Sequence, residues 1–167
     1  YFGSDGGFFE AAGIALDIQP AKGDSAILEA VNTGSLDVGI CTPVTVAKAV
    51  THGISVAYIG AGNVYSTANP TLGLIVVKDS PIVRAKDLEG ATVGLFEIKD
   101  ASHLALSAWL ARNGADAAKM KFIELGRPEM VAAVEKGTVT AALIGEPYLS
   151  AGLIANCRLL GKPFDVF

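Results

Sequence analysis

The chain has 167 residues, 51% hydrophobic and 18% charged, with a mean hydropathy of +0.45. That composition supports a core of ordinary size and argues against disorder. A formal net charge of −4 without a clustered Lys/Arg stripe argues against nucleic acid and anionic membrane surfaces as partners. Apolar runs such as Leu72 to Val77 are too short to span a bilayer.

In chain order, Phe8 to Ala12 read as the end of a helix stopped by Gly13, and Ile14 to Gln19 alternate as a short strand. Asp24 or Ser25 is placed to cap a helix with an apolar face of Ile27, Leu28 and Val31, and Gly34 supplies its left-handed end. Leu36 to Ile40 read as a buried strand. Thr42 then caps a helix with Pro43 at its first position, running to about Val50. Ser55 to Gly60 read as another strand, and Gly60 to Pro70, rich in Gly, Asn and Ser, as a loop.

Leu72 to Val77 form a continuous apolar strand, and Asp79-Ser80-Pro81 follow. Ala91 to Leu95 are the next strand. Asp100 or Ser102 caps a long helix carrying Leu104, Leu106, Trp109 and Leu110, ended by Asn113-Gly114. Lys121 to Leu125 form a strand, Pro128 opens a helix to Lys136, Val139 to Ile144 form a strand, and Pro147 opens the helix through Leu153. Strands alternating with helices predict an α/β fold with mostly parallel sheets.

One motif occurs twice. Residues 30–43 read AVNTGSLDVGICTP and residues 133–147 read AVEKGTVTAALIGEP. In each, a helix ends at a glycine, an apolar strand follows, and a proline starts the next helix. A duplicated α/β unit predicts two lobes with a ligand cleft between them.

In open parallel sheets ligands gather beyond the carboxyl ends of the strands, where helix N-termini offer free N–H groups and partial positive charge. Four segments have that position: Gly23-Asp24-Ser25, Cys41-Thr42-Pro43, Lys99 to His103, and Gly145-Glu146-Pro147. Ser25 and Thr42 also suit a purely capping role, and His103 suits an ordinary packed or surface-bonded imidazole. Glu146 is favourable beside a helix N-terminus in itself; facing a cleft, it selects a ligand with an N–H or ammonium donor. Asn63, Tyr65 and Ser66 lie in the polar loop, placed either to bond a ligand or simply to meet solvent. No arginine falls at these segments, and Lys99 is the nearby cation.

Cys41 and Cys157 are too few for a disulfide framework. A buried free thiol is the plain reading of Cys41, with a catalytic thiol or a Cys41–Cys157 bridge as the other possibilities. No cluster has metal-ligand spacing, and the sequence carries no nucleophile elbow, P-loop or dinucleotide fingerprint. No catalytic set assembles and no cofactor is expected.

The stretches GGFFEAAGIALDIQP, GDSAILEAVNTGSLDVGICTP, DLEGATVGLF and AALIGEPYLSAGL resemble, in that order, the periplasmic solute-binding proteins of ABC importers. The similar branch is the nitrate/sulfonate/taurine group, which includes binders of thiamine pyrimidine precursors. The resemblance implies a type II two-lobed α/β fold, with a first lobe at 1–75, a second at 76–160, and a second crossing beginning at 161–167. It implies capture of a sulfonate, taurine-like or nitrate-like ligand by a monomer that delivers it to a membrane permease. Ser25, Thr42 and Tyr65 would come from one lobe, with Ser102, His103 and Glu146 from the other. Residues near Val77-Lys78 and Lys162-Pro163 would absorb the closing rotation. It implies a periplasmic or lipid-anchored extracytoplasmic setting, although no signal peptide is visible; the chain opens at Tyr1 as though already inside an element and reads as a partial copy. A pyrimidine held by Tyr65 or Tyr148 and Glu146 is the alternative ligand. A precursor-synthesis enzyme using His103, Glu146 and Cys41, or the effector module of a regulator, are alternative functions on the same fold.

Overall fold

The computed structural model describes residues 2–21, 23–62 and 64–167. Five strands form one sheet in the order β3-β2-β4-β1-β5: β1 Leu72–Val77, β2 Thr92–Leu95, β3 Lys121–Glu124, β4 Ala141–Gly145 and β5 Cys157–Gly161. β2 pairs parallel with β3 and β4, whereas β1 pairs antiparallel with both β4 and β5. Four strands therefore point one way and β1 runs against them. β5 had no sequence signal of its own, because CRLLG is short and follows directly on a helix.

The strands lack polar alternation because both sheet faces are covered. Leu74 and Val76 of β1 and Ala141 and Leu143 of β4 face one cluster, completed by Val93, Leu95, and the Leu106 and Leu110 pair of helix α5 (Ala101–Arg112). Ile75, Ala142 and Ile144 face the other, with Met130 and Val134 of α6 (Arg127–Glu135) and Leu149 of α7 (Tyr148–Ile154). Successive residues of one strand thus enter opposite cores, as a pleated strand requires.

The N-terminal part is built differently. It holds short helices α1 (Phe2–Asp5) and α2 (Phe8–Ala11), then α3 (Asp24–Asn32) and α4 (Pro43–Thr51). The three strands expected at 14–19, 36–40 and 55–60 are extended but unpaired, a correction to the sequence reading. A strand exists only as part of a ladder, and no neighbouring strand among the described residues supplies one. Val38 and Ile40 of the anticipated buried strand are accordingly 60% and 77% exposed.

Helix ends follow the sequence more closely. Gly34 (φ 75°) and Gly137 (φ 70°) close α3 and α6 in the left-handed conformation. The α3 start differs from expectation: its cap is Gly23, at φ 136°, and neither Asp24 nor Ser25 caps it with a side chain. Thr42 does occupy the position before α4, with Pro43 following, but its hydroxyl pairs with Thr45 Oγ1 at 3.1 Å.

A candidate ligand seam

The loop leaving β2 carries Phe96, Glu97, Ile98 and Lys99 toward the N-terminal helices. The Glu97 carboxylate accepts from the Asp24 backbone N–H at 2.8 Å and from Ser25 Oγ at 2.5 Å. Asp24, buried at 6% exposure, turns its own carboxylate to the Thr42 backbone N–H at 2.7 Å. The Cys41 thiol reaches the Asp24 carbonyl at 3.6 Å. Ser25, Cys41 and Thr42 therefore meet around Asp24 and Glu97.

A second bridge lies beside the first. Lys48 Nζ donates to the Lys99 carbonyl at 2.8 Å, joining α4 to the turn before α5. Lys99 is held at φ 70°, a conformation unusual for a side chain larger than Gly. Asp100 caps α5 by accepting from the His103 N–H at 2.9 Å, and the Lys99 N–H donates to His103 Nδ1 at 2.9 Å. With Nδ1 accepting, the neutral imidazole carries its proton on Nε2, a donor for a third party. The His103 ring lies 4.6 Å from the Phe122 ring.

Electrostatics follow from burial. Desolvation pushes the His103 pKa below its ordinary value; the Asp100 charge opposes that and the Lys99 charge adds to it. Asp100 is pushed up, first by desolvation, with Asp24 and Glu97 adding repulsion against its two backbone donors. The Cys41 thiol is also raised by burial and then by the Asp24 and Glu97 charges, the opposite of what activates a nucleophilic thiol. Cys41 is half-buried, and both cysteines are free, so the bridge considered from sequence does not form.

Two hollows lie nearby. One of about 280 Å³ is lined by Val44, Lys99, Asp100, His103, Leu104 and Ser107, at the junction of α4 with α5. The other, about 290 Å³, is walled mainly by apolar residues of the unpaired segments, including Val38, Ile40, Tyr58 and Ile59, with Cys41 at its edge. The smaller hollow lies beside the Lys48–Lys99 bridge, with Lys99, Asp100, His103 and Ser107 as its polar lining and Val44 and Leu104 as its apolar lining.

Other expected site residues lie elsewhere. Glu146 gives both carboxylate oxygens to its own helix, accepting from Ser150 N–H at 3.1 Å and Ser150 Oγ at 2.8 Å. Proximity in sequence decides this: an exposed carboxylate beside a helix start finds the first-turn donors before any distant partner. Tyr65 donates to Asp165 Oδ1 at 2.6 Å and packs on Phe164, 5.4 Å between ring centres, tying the polar loop to the last 3-10 turn. Ser102 is half-buried in the first turn of α5. Asn63 lies outside the described residues. Glu97 and Lys48 were not anticipated. A carboxylate two residues beyond an apolar strand was the available signal for Glu97, whereas Lys48 resembles any surface lysine of a helix. Arg127, which opens α6, lies with its guanidinium 3.6 Å from the centre of the Phe96 ring.

With this geometry in place, comparison with known proteins is informative. The family model described as "NMT1/THI5 like" matches residues 1–151. The chain belongs to the NMT1/THI5-like family. The "Putative aliphatic sulfonates-binding protein" of Escherichia coli (strain K12) is 30% identical over 141 residues, covering 84% of this chain and 43% of that protein. The crystal structure of the periplasmic aliphatic sulphonate binding protein SsuA from Escherichia coli superposes with a TM-score of 0.77 at 24% identity, covering 99% of this chain and 56% of that one. The alkanesulfonate-binding protein SsuA from Xanthomonas axonopodis pv. citri, bound to MOPS, gives 0.83 at 22% identity, covering 99% and 57%. These likenesses show the type II binding-protein fold expected from the sequence. The chain spans about half the length of these relatives.

Proposed function

We propose that this NMT1/THI5-like chain is the ligand-capturing part of a substrate-binding component of an ABC import system, taking a small organic anion or zwitterion of the sulfonate, taurine or nitrate kind. The observation that carries this reading is the seam, where Glu97 beyond β2 reaches the start of α3, Lys48 of α4 reaches the turn before α5, and a small hollow lies at that second junction. The binding proteins named above support the same class. The lobes follow the expected division, 1–75 and 76–160, except that β1 from Leu72 onward belongs with the five-stranded sheet of the second lobe; 161–167 begin the second crossing. Leu74 stands opposite Gly161 in the β1–β5 ladder, so the two connections run side by side, as a hinge between lobes needs.

Ser25, Thr42 and His103 contact the ligand, with Cys41 at the margin. Glu146 is satisfied by Ser150, which removes the acceptor that favoured a pyrimidine ligand. Binding proceeds without turnover: the Cys41 thiol is held protonated, and the curated relative is a binding protein. The partners are the small ligand and a membrane permease, the protein works as a monomer, and its setting is periplasmic or otherwise extracytoplasmic. Calorimetric titration with taurine, ethanesulfonate and nitrate tests the reading. At least one should bind saturably and be recovered unchanged, and His103→Ala should weaken it about tenfold through loss of one hydrogen bond. Absence of binding by all three, or chemical conversion of the bound compound, would overturn it.

A further inference from the structure

Glu97 occupies a seat that the ligand would want. Its two oxygens take the Asp24 N–H and the Ser25 hydroxyl, both at the start of α3, from the other side of the seam. The approach depends on Gly23: a Cβ there would stand 3.1 Å from Glu97 Oε2 and 3.7 Å from its Cδ. Both donors to the carboxylate are neutral, and the Lys48 ammonium donates instead to the Lys99 carbonyl. Asp24 cannot take the same place, because its carboxylate is committed to the Thr42 N–H.

We infer that Glu97 is a built-in competitor for the ligand's anionic group. It clasps the two sides of the seam when no ligand is present, and an incoming anion enters only by displacing it. The inference rests on the binding reading above and adds an affinity-setting residue to it. An internal competitor lowers apparent affinity by the fraction of time the seat is free. A seat occupied nine-tenths of the time therefore costs about tenfold in affinity for every ligand that needs it. Glu97→Gln keeps one acceptor but removes the charge, and Glu97→Ala removes the clasp.

Ethanesulfonate titrated into the full chain and both variants is the first readout. The variants should bind about tenfold more tightly than the parent. The second readout uses no ligand. Hydrogen exchange over residues 43–48 and 99–104, which face each other across the seam without bonding Glu97, should quicken in Glu97→Ala. Affinity that is unchanged or lower in both variants would overturn the inference, since Glu97 would then be a bystander or a ligand contact. If none of the three proteins binds ethanesulfonate, the sulfonate reading fails. The clasp is then decided by exchange alone, and unchanged exchange refutes it.

Discussion

Residues 30–43 and 133–147 begin alike and end differently. In both, a helix is closed by a left-handed glycine whose N–H returns to the helix, Gly34 to the Val31 carbonyl at 3.2 Å and Gly137 to the Val134 carbonyl at 3.1 Å. The residue two positions after the glycine also pairs with the helix in both copies: Leu36 N–H with Ala30 O at 3.0 Å, Val139 N–H with Ala133 O at 3.2 Å. Beyond that point the copies part. Ala141–Gly145 sits between β2 and β1, with ladders on both sides and a core on each face. Residues 36–40 have no ladder, and beyond the half-buried Leu36 they are exposed. A helix stop is a local property of the chain, whereas a strand depends on what lies beside it.

The comparison is broken most sharply by deleting one apolar side chain from each copy. Ile144, 1% exposed, and Ile40, 77% exposed, come from the two copies. Ile144→Ala should cost about 2–5 kcal/mol in urea unfolding, the usual range for a buried isoleucine emptied to alanine. Ile40→Ala should change stability by no more than about 0.5 kcal/mol. Equal losses would mean that residues 36–40 are packed as tightly as β4.

Alanine at the two helix-closing glycines sharpens the local half of the comparison. An added Cβ meets nothing within 4 Å at Gly34 or Gly137, so only the left-handed backbone is penalised. Gly34→Ala and Gly137→Ala should each lower stability by a similar step, about 1 kcal/mol, read as matching falls in melting temperature. A clearly unequal pair would show that tertiary packing reaches the helix stop as well.

The smallest effect concerns the tie between the two parts. Burial, and then the bond to Asp165, push the Tyr65 phenol up to about 12. An unfolded chain releases that proton near the ordinary value of about 10. The raised value makes the contribution complete below about pH 10 and progressively lost as pH climbs toward about 12. Phenolate absorbance should show the last-titrating tyrosine disappear in Tyr65→Phe, and the alkaline fall in stability should flatten. A Tyr65 that ionises with the unhindered phenols would mean the loop is not anchored at Asp165.

Much of the sheet-bearing part was legible. Leu72–Val77 is a strand with the expected bounds, and α5, α6 and α7 start within a residue or two of the expected signals. Asp100 caps α5 as its position before the helix suggested. Segments of the candidate site were legible as helix beginnings, but their pairings were not. Asp24 and Ser25 read as caps for their own helix, yet Asp24 serves Thr42 and Ser25 serves Glu97. Glu146 read as a cleft residue and is absorbed by Ser150 four positions on.

By itself, the sequence determined what depends on a few consecutive residues: where helices stop, where proline and a polar side chain start them, and which runs are apolar enough to be extended. Those outcomes are set by backbone sterics and short-range hydrogen bonds, which need no distant partner. Tertiary structure decided which extended runs became strands and which carboxylate met which donor. Glu97 and Asp24 are 73 positions apart, and only the folding of the β2 loop against α3 brings that charge to those amides. Chain closure over such a separation is governed by the packing of the whole sheet, which no local pattern encodes.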